Sequence, residues 1–231
     1  AKAAEAAPDG ATIYVMSDVE MNQMAWVWEK ELTITSYGVD PVTLSRGENF
    51  HTNTDPARQR YNPAMIEVGG ETEQGTVSSL ILTHIILDDM GKYEGEYFVQ
   101  ADSEGDGETT VSRSEVPNTS IVQDAIIATY NGMGTITLGD GAELRNYGGM
   151  SAVRLSGGEL IMEEGSAILD TTENEREKGA SGSFGPAGAV WLQGGILTMN
   201  GGTIGGDKGV MMNGRALYAD GGTANIGGTI Q

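Results

Sequence analysis

The sequence predicts an all-β fold, a right-handed parallel β-helix of about six coils with an N-terminal cap and long loop insertions. Short apolar runs of alternating pattern recur along the chain, and glycine-centred corners separate them. In the last third these runs return in groups of three, with the clearest copies at 151–169, 188–204 and 215–230. A unit of this length is too small to bury its own apolar face, so it must stack on its neighbours.

The N-terminal part is predicted to be a linker followed by a less regular coil. Residues 1–10 are assigned to the linker because Pro8 and Asp9-Gly10 break regular structure. Apolar, β-branched and aromatic residues predict the strands of the first coil at Ala11–Met16, Leu32–Ser36 and Val42–Ser45. Ser17–Glu31 is compatible with either a short helical cap or an extra strand. A cap is required because the end of a solenoid exposes apolar core and unpaired strand edges.

The remaining strands and insertions follow from the same pattern. The second coil is predicted from Ala64–Val68, Leu80–Leu87 and Tyr97–Gln100, and the third from Ile121–Thr129, Gly134–Leu138 and Ala142–Asn146. Three polar segments are predicted as long loops: Arg46–Asn62, Ala101–Asn118 and Asp170–Pro186. Long loops in such a stack tend to lie on one face. Residues 11–231 are expected to form a single domain, less regular over 11–120 and regular over 121–231.

Alignment of the repeats predicts two rows of side chains that face opposite ways. The inward row is Ile126, Val153, Val190 and Leu217. The residue after each forms an outward column of Ile127, Arg154, Trp191 and Tyr218. Aromatic rings on a rigid sheet stack on sugars or anchor a protein partner, so Arg154, Trp191 and Tyr218 are candidate binding residues. The alternative is that the column serves cross-strand packing or is covered by the 170–186 loop.

Composition excludes several classes of function. Asp and Glu number 33 against 13 Lys and Arg, a formal charge of −20 that repels nucleic acid and anionic membrane surfaces. Without cysteine there are no disulfides, thiolate zinc sites or cysteine nucleophiles. No apolar run reaches the length of about 18 residues that spans a membrane. Because the chain opens at Ala1 without Met and stops at Gln231 inside a repeat-like corner, we expect a piece of a longer, exported protein.

The repeat segments GAVWLQGGILTMNGGTI and RALYADGGTANIGGTI resemble repeats of large surface proteins from Gram-positive bacteria, many of them from the gut. Those proteins are similar in fold to the pectate-lyase-like β-helix superfamily. The resemblance covers 121–231 well and 11–100 only through strand-like spacing. It implies architecture rather than activity, because this fold hosts lyases, glycosidases, phage tailspikes and adhesins.

Two kinds of acidic site are worth considering. The segment from Asp102 through Glu104 to Asp106 resembles the opening of a calcium loop, although the twelfth position is Arg113 and no flanking helices are predicted; a solvated acidic loop is the alternative. Carboxylate pairs for glycoside hydrolysis are sought at Asp88-Asp89, Glu94/Glu96 and Glu163-Glu164. Neighbours in a strand face opposite ways, so Asp88 and Asp89 are not expected to share one groove. No catalytic residue is assigned.

Two functions remain. The first is a non-enzymatic extracellular module at the cell surface or cell wall, an adhesin-like stalk or a recognition domain for a host glycan or protein. The second is a fragment of a carbohydrate-active β-helix enzyme, a polysaccharide lyase or glycoside hydrolase. No cofactor is expected beyond the calcium considered above, and neither nucleic acid nor membrane insertion is expected.

Overall fold

The computed structural model describes residues 1–51, 64–70, 75, 77–90, 99–102, 110–113, 125–130, 133–147, 151–169, 188–205 and 216–230. These residues form one short helix, α1 (Lys2–Ala6), and strands that dominate the rest. The strands are, in chain order, β1 (Ala11–Val15), β2 (Val19–Gln23), β3 (Ala25–Trp28), β4 (Glu31–Ser36), β5 (Val42–His51), β6 (Ala64–Gly69), β7 (Ser79–Thr83), β8 (Ile85–Asp88), β9 (Val99–Asp102), β10 (Thr110–Arg113), β11 (Ala125–Tyr130), β12 (Thr135–Leu138), β13 (Ala142–Arg145), β14 (Ser151–Leu155), β15 (Glu159–Met162), β16 (Ala167–Leu169), β17 (Val190–Leu192), β18 (Ile196–Met199), β19 (Thr203–Gly205), β20 (Leu217–Ala219), β21 (Thr223–Ile226) and β22 (Thr229–Ile230).

Three parallel sheets contain nearly all of these strands, and the chain visits them in a fixed order. Sheet 1 has the order β1-β4-β7-β12-β15-β18-β21. Sheet 2 has the order β2-β5-β8-β13-β16-β19-β22. Sheet 3 has the order β3-β6-β11-β14-β17-β20. Each coil therefore contributes one strand to each sheet in turn, which is the architecture of a parallel β-solenoid.

The first predicted coil is wrong in its grouping. β1 and β4 are parallel neighbours in one sheet, with Ile13 opposite Ile34, so they belong to successive coils. The residues left open between a cap and a strand, Ser17–Glu31, supply β2 and β3, which complete the first coil. Sheets 1 and 2 thus have seven strands each in the described chain, one more than the six coils predicted. The pattern was weak here because β2 is exposed apart from Met21.

Two further strand predictions in the second coil are corrected. The run predicted as one strand, Leu80–Leu87, is divided between sheets 1 and 2 by a corner at His84, whose φ is 48°. The run Tyr97–Gln100 overlaps β9, but β9 pairs antiparallel with β10 and joins none of the three parallel sheets. The loop predicted to begin at Arg46 begins later, because β5 continues to His51.

The apolar core lies between the sheets and is built from like residues stacked on like. In sheet 1, the register pairs Leu32 with Leu80, and Leu160 with Leu197, and all four side chains are fully buried. The predicted core residues Val153, Leu155, Val190 and Leu192 are buried as well. Leu217 is only half-buried, because it lies in the last strand of sheet 3.

The N-terminal end of sheet 3 is closed by the short helix. α1 packs on β3 and buries Ala4. The Lys30 ammonium donates hydrogen bonds to the carbonyls of Ala4 (3.3 Å), Glu5 (3.0 Å) and Ala7 (2.9 Å). It thereby satisfies carbonyls that the helix end leaves without an intrahelical partner. The segment predicted as a linker, residues 1–10, therefore contains a helix docked on the first coil.

Glycines stack on one another at the corner from sheet 3 to sheet 1. The glycine column consists of Gly134, Gly158, Gly195 and Gly222, each with a positive φ. A Cβ on Gly158 would overlap the carbonyl oxygen of Gly134, and that carbonyl accepts a hydrogen bond from the Glu159 amide at 2.9 Å. The close approach of successive coils at this corner therefore requires the absence of a side chain.

Gly158→Ala should destabilise the protein more than Gly10→Ala. Both glycines have a φ near +73°, but a Cβ on Gly10 meets nothing within 4 Å. The Gly10 variant measures left-handed strain alone, about 1–2 kcal/mol. We expect Gly158→Ala to lose at least ~1 kcal/mol more in the free energy of unfolding, measured by urea denaturation followed by circular dichroism. Equal losses would show that the coils are not in close contact at this corner.

Candidate functional site

The four longest connections between solenoid strands all run from the end of a sheet 2 strand to the start of a sheet 3 strand. They are residues 52–63, 89–124, 170–189 and 206–216. The corner from sheet 1 to sheet 2 is much tighter, and between β7 and β8 it consists of His84 alone. We call this junction of sheets 2 and 3 the insertion edge. The course of these connections lies largely outside the described residues, so the expectation that the long loops lie on one face stays a prediction.

An ionic cluster lies at the insertion edge, where β8 ends. The Asp88 carboxylate accepts hydrogen bonds from Arg145 Nε (2.8 Å), Asn146 Nδ2 (2.9 Å) and the Met90 amide (2.8 Å). The neighbouring Asp89 carboxylate accepts from Arg46 Nε. The two adjacent aspartates therefore face different arginines, as their alternation along the chain predicts.

The Arg46 guanidinium holds three elements of this edge together. Besides its bond to Asp89, its Nη2 donates to the Ala125 carbonyl at 3.2 Å, at the start of β11. Its Cζ atom lies 4.5 Å from the centre of the Phe50 ring, within the range of a cation–π contact. The Arg46 and Asp89 side chains are only 7% and 1% exposed. This is a buried pair that ties β5, β8 and β11 together across coils.

The carboxylates at this edge are arranged for support rather than for hydrolysis. A glycosidase needs two carboxyl groups about 5–10 Å apart on either side of the bond that is cleaved, one acting on the leaving group. Asp88 and Asp89 are each engaged by a guanidinium instead. Among the other pairs considered, Glu163 Oε1 accepts from Asn200 Nδ2 at 2.9 Å while Glu164 is exposed to solvent. Glu94 and Glu96 lie outside the described residues.

Beside the insertion edge, the core-distal face of sheet 3 carries a column of polar and aromatic side chains. We call it the sheet 3 column, and its members in order of coils are Trp26, Glu67, Ala128, Arg154, Trp191 and Tyr218. The predicted alignment was one residue off at the third coil, because Ile127 pairs with Val153 and the member opposite Arg154 is Ala128. The structure brings Arg154, Trp191 and Tyr218 into successive coils, and the last two rings lie 6.4 Å apart.

The sheet 3 column is buried, whereas a surface column was expected. Arg154 is 3% exposed and Trp191 is 7% exposed, while Tyr218 is half-buried. Residues two positions earlier on the same face, such as Ile126 and Ala152, are fully buried too. In sheets 1 and 2, by contrast, strands such as β7 and β13 alternate buried with half-exposed positions. Sheet 3 is therefore buried on both faces in its central coils, which is typical of parallel strands covered on both sides, although its outer face includes the charged residues Glu67 and Arg154.

Glu67 and Arg154 form an electrostatic pair within this face. They flank Ala128, whose methyl group leaves room between two longer side chains. Burial lowers the pKa of Arg154 from its ordinary value, and the Glu67 carboxylate acts in the opposite direction. Glu67 is 1% exposed, so both charges lie in a poorly solvated environment. The sequence signal for this pairing was a Glu and an Arg inside apolar strands at equivalent positions of the repeat.

The predicted calcium site falls largely outside the described residues. Asp102 ends β9, opposite Thr110 of β10, and Glu104 and Asp106 are not among the residues described. In the described part of the chain, no three acidic or histidine side chains come together as metal ligands. The same part contains no helix with the length and apolarity needed to cross a membrane.

Comparison of the chain with protein-family models, with curated protein sequences and with solved structures gave no match.

Arg46→Met should destabilise the protein strongly, by about 3–5 kcal/mol, because it leaves the Asp89 charge buried without its guanidinium. Arg145→Met is the matched control. Its side chain is 30% exposed, and Asp88 keeps its bonds from Asn146 and Met90. We expect a smaller loss for the control in chemical denaturation. A loss for Arg46→Met no larger than that of the control would contradict the anchoring role of the Arg46–Asp89 pair.

Trp191→Ala should lower the free energy of unfolding by about 3–5 kcal/mol, the usual cost of truncating a buried aromatic side chain. Tyr218→Ala should cost less, because Tyr218 is half-buried and lies in the last strand of sheet 3. Thermal and urea denaturation of the two variants make the comparison. Full stability of Trp191→Ala would show that this ring is not packed.

Proposed function

We propose that this chain is a non-enzymatic, extracellular recognition module of an adhesin-like surface protein, in which a stiff solenoid presents chain segments to a host glycan or protein. One observation carries the proposal: the four longest connections between solenoid strands leave from the insertion edge, and the corners from sheet 1 to sheet 2 are short. Binding residues are found disproportionately on segments that a rigid scaffold positions. A scaffold that concentrates its long segments along one edge is suited to recognition there.

The strands behind the insertion edge are held firmly, which supports this assignment. Sheet 3 is buried on both faces in its central coils, and the Arg46–Asp89 pair fixes three neighbouring strands at the edge. Segments anchored on such a base lose less conformational freedom on binding than segments on a mobile base.

We further infer that the solenoid is right-handed. Connections between parallel strands of one sheet are right-handed in about 98% of known cases, because the strand twist favours that crossover. The resemblance of the repeats to β-helical surface proteins of Gram-positive bacteria points the same way. That resemblance, together with a formal charge of −20, also supports placement at the cell surface or cell wall.

A carbohydrate-active enzyme is less well supported. The aspartates at the insertion edge are both held by guanidinium groups in positions that serve the stack. A calcium site at Asp102, Glu104 and Asp106 would be compatible with either function, and calcium titration of the melting temperature is its direct test.

The test is to shorten one connection at a time and measure binding. Residues 171–186 are replaced by a tight glycine corner such as Ser156-Gly157-Gly158, which joins β14 to β15. The control variant exchanges the glycine corner at 220–222 for that same sequence, away from the insertion edge. Both proteins are applied to an array of mammalian glycans and to host extracellular matrix proteins.

We expect the shortened connection at 171–186 to reduce binding at least tenfold and the control to bind normally, with similar melting temperatures. The same experiment is repeated on the connections at 52–63, 89–124 and 206–216. Binding that survives every shortening would contradict the proposal. Turnover of uronate polymers or mucin glycans by the intact protein would replace it with the enzymatic function.

A further inference from the structure

A second surface lies at the corner between sheets 1 and 2 in the first two coils, away from the insertion edge, and its composition is that of a docking site. Five large apolar side chains are exposed where sheet 1 turns into sheet 2. They are Tyr14 (59% exposed), Met16 (68%), Val19 (42%), Tyr37 (66%) and Val39 (92%). We call them the aromatic patch. Contiguous exposed apolar groups of this kind mark interaction surfaces on soluble proteins, whereas single ones are common and carry no meaning.

The aromatic patch is preformed. The Tyr14 and Tyr37 rings contact edge to face, with centres 6.0 Å apart and planes at 87°. The Tyr37 amide donates to the Val15 carbonyl at 2.9 Å, which places the start of the 37–41 turn against β1. The end of the turn is fixed by the Val42 amide, which donates to Ser36 Oγ at 2.8 Å. Because these contacts already fix the surface, little further conformational freedom is lost when it binds a partner.

The charge around the aromatic patch is acidic. Asp18 and Asp40 are exposed beside it, and Asp18 Oδ1 accepts a hydrogen bond from the Thr43 amide at 2.8 Å. Between residues 11 and 45 the chain has five acidic residues and one basic residue, Lys30. The Lys30 ammonium is occupied with the carbonyls of α1. No cation in this part of the sequence therefore neutralises the patch.

We propose that the aromatic patch binds a basic peptide segment of a partner protein, one in which Lys or Arg side chains alternate with apolar ones. The ring face that the Tyr14–Tyr37 pair exposes attracts a cation through its π-electrons, and Asp18 and Asp40 add opposite charge at the rim. Apolar side chains of the peptide cover Met16 and Val39. The net negative charge of the whole chain steers such a ligand toward the surface.

A neutral glycan fits the same surface less well. Sugar rings stack flat on aromatic faces, and an extended glycan needs rings that share one plane. Tyr14 and Tyr37 stand at 87° to each other, so they present one face and one edge.

The experiment measures binding of a fluorescein-labelled peptide of alternating Arg and Leu to the intact protein by fluorescence anisotropy, at low and at physiological salt. A peptide with Glu in place of Arg is the charge control. Because a protein of charge −20 attracts any basic peptide weakly, the readout is the difference between variants. Tyr14→Ala/Tyr37→Ala removes the rings. Asp18→Asn/Asp40→Asn removes the rim charge but keeps the acceptor for the Thr43 amide.

We expect the double tyrosine variant to weaken binding at least tenfold and the double aspartate variant three- to tenfold, with a smaller dependence on salt. Ile196→Ala, which removes an exposed apolar side chain elsewhere on sheet 1, should bind like the parent protein. Unchanged binding by the tyrosine variant, or equal binding of the Glu peptide, would overturn the proposal. So would a neutral glycan whose binding the tyrosine variant abolishes while the Arg peptide still binds.

Discussion

The structure depends on the lateral pairing of parallel strands between successive coils. A strand of the three parallel sheets has no partner within its own coil, so its backbone amides and carbonyls are satisfied by the coils before and after it. The glycine column shows how closely the coils must approach: the amides of Glu159, Ile196 and Thr223 each donate to the carbonyl of a glycine one coil earlier, at 2.9 Å. Any side chain at that corner would separate the coils and weaken the pairing on both sides.

This constraint decides where the chain is free to vary. A corner that must stack on the corner below it stays short, as between sheets 3 and 1 in the C-terminal coils, and cannot carry an insertion without disturbing its neighbours. The insertion edge is different, because the strands on its two sides are fixed independently by the Arg46–Asp89 pair and by the double-sided burial of sheet 3. Long segments are therefore tolerated there, which is the basis on which we propose recognition at this edge.

The sequence predicted the fold class well where coils are complete and less well elsewhere. Stacked pairs such as Leu160 and Leu197 were evident because equivalent inward positions of successive repeats have the same kind of apolar residue. The segment that forms β2 stayed open between a helical cap and an extra strand, because only Met21 of its five residues is buried and its apolar signal is weak. The sequence left open whether the outward position of Trp191 meant exposure or packing. The signal for burial was the run Ala125–Ala128, which is apolar on both faces of its strand. The Arg46–Asp89 pair joins residues 43 positions apart, and no local pattern reports such a contact.

The register of sheet 1 between Thr33 and Ile81 is the most direct test of this account. The two residues are partners across β4 and β7, half-exposed on the outer face, and the chain contains no native cysteine to compete. Paired parallel strands lie about 4.8 Å apart, so cysteines placed at 33 and 81 should form a disulfide readily under mild oxidation. Cysteines at 33 and 83 should not, because the offset of two residues places their Cα atoms roughly 8 Å apart. Cross-linking of the second pair in preference to the first would contradict the stacking on which the whole structure rests.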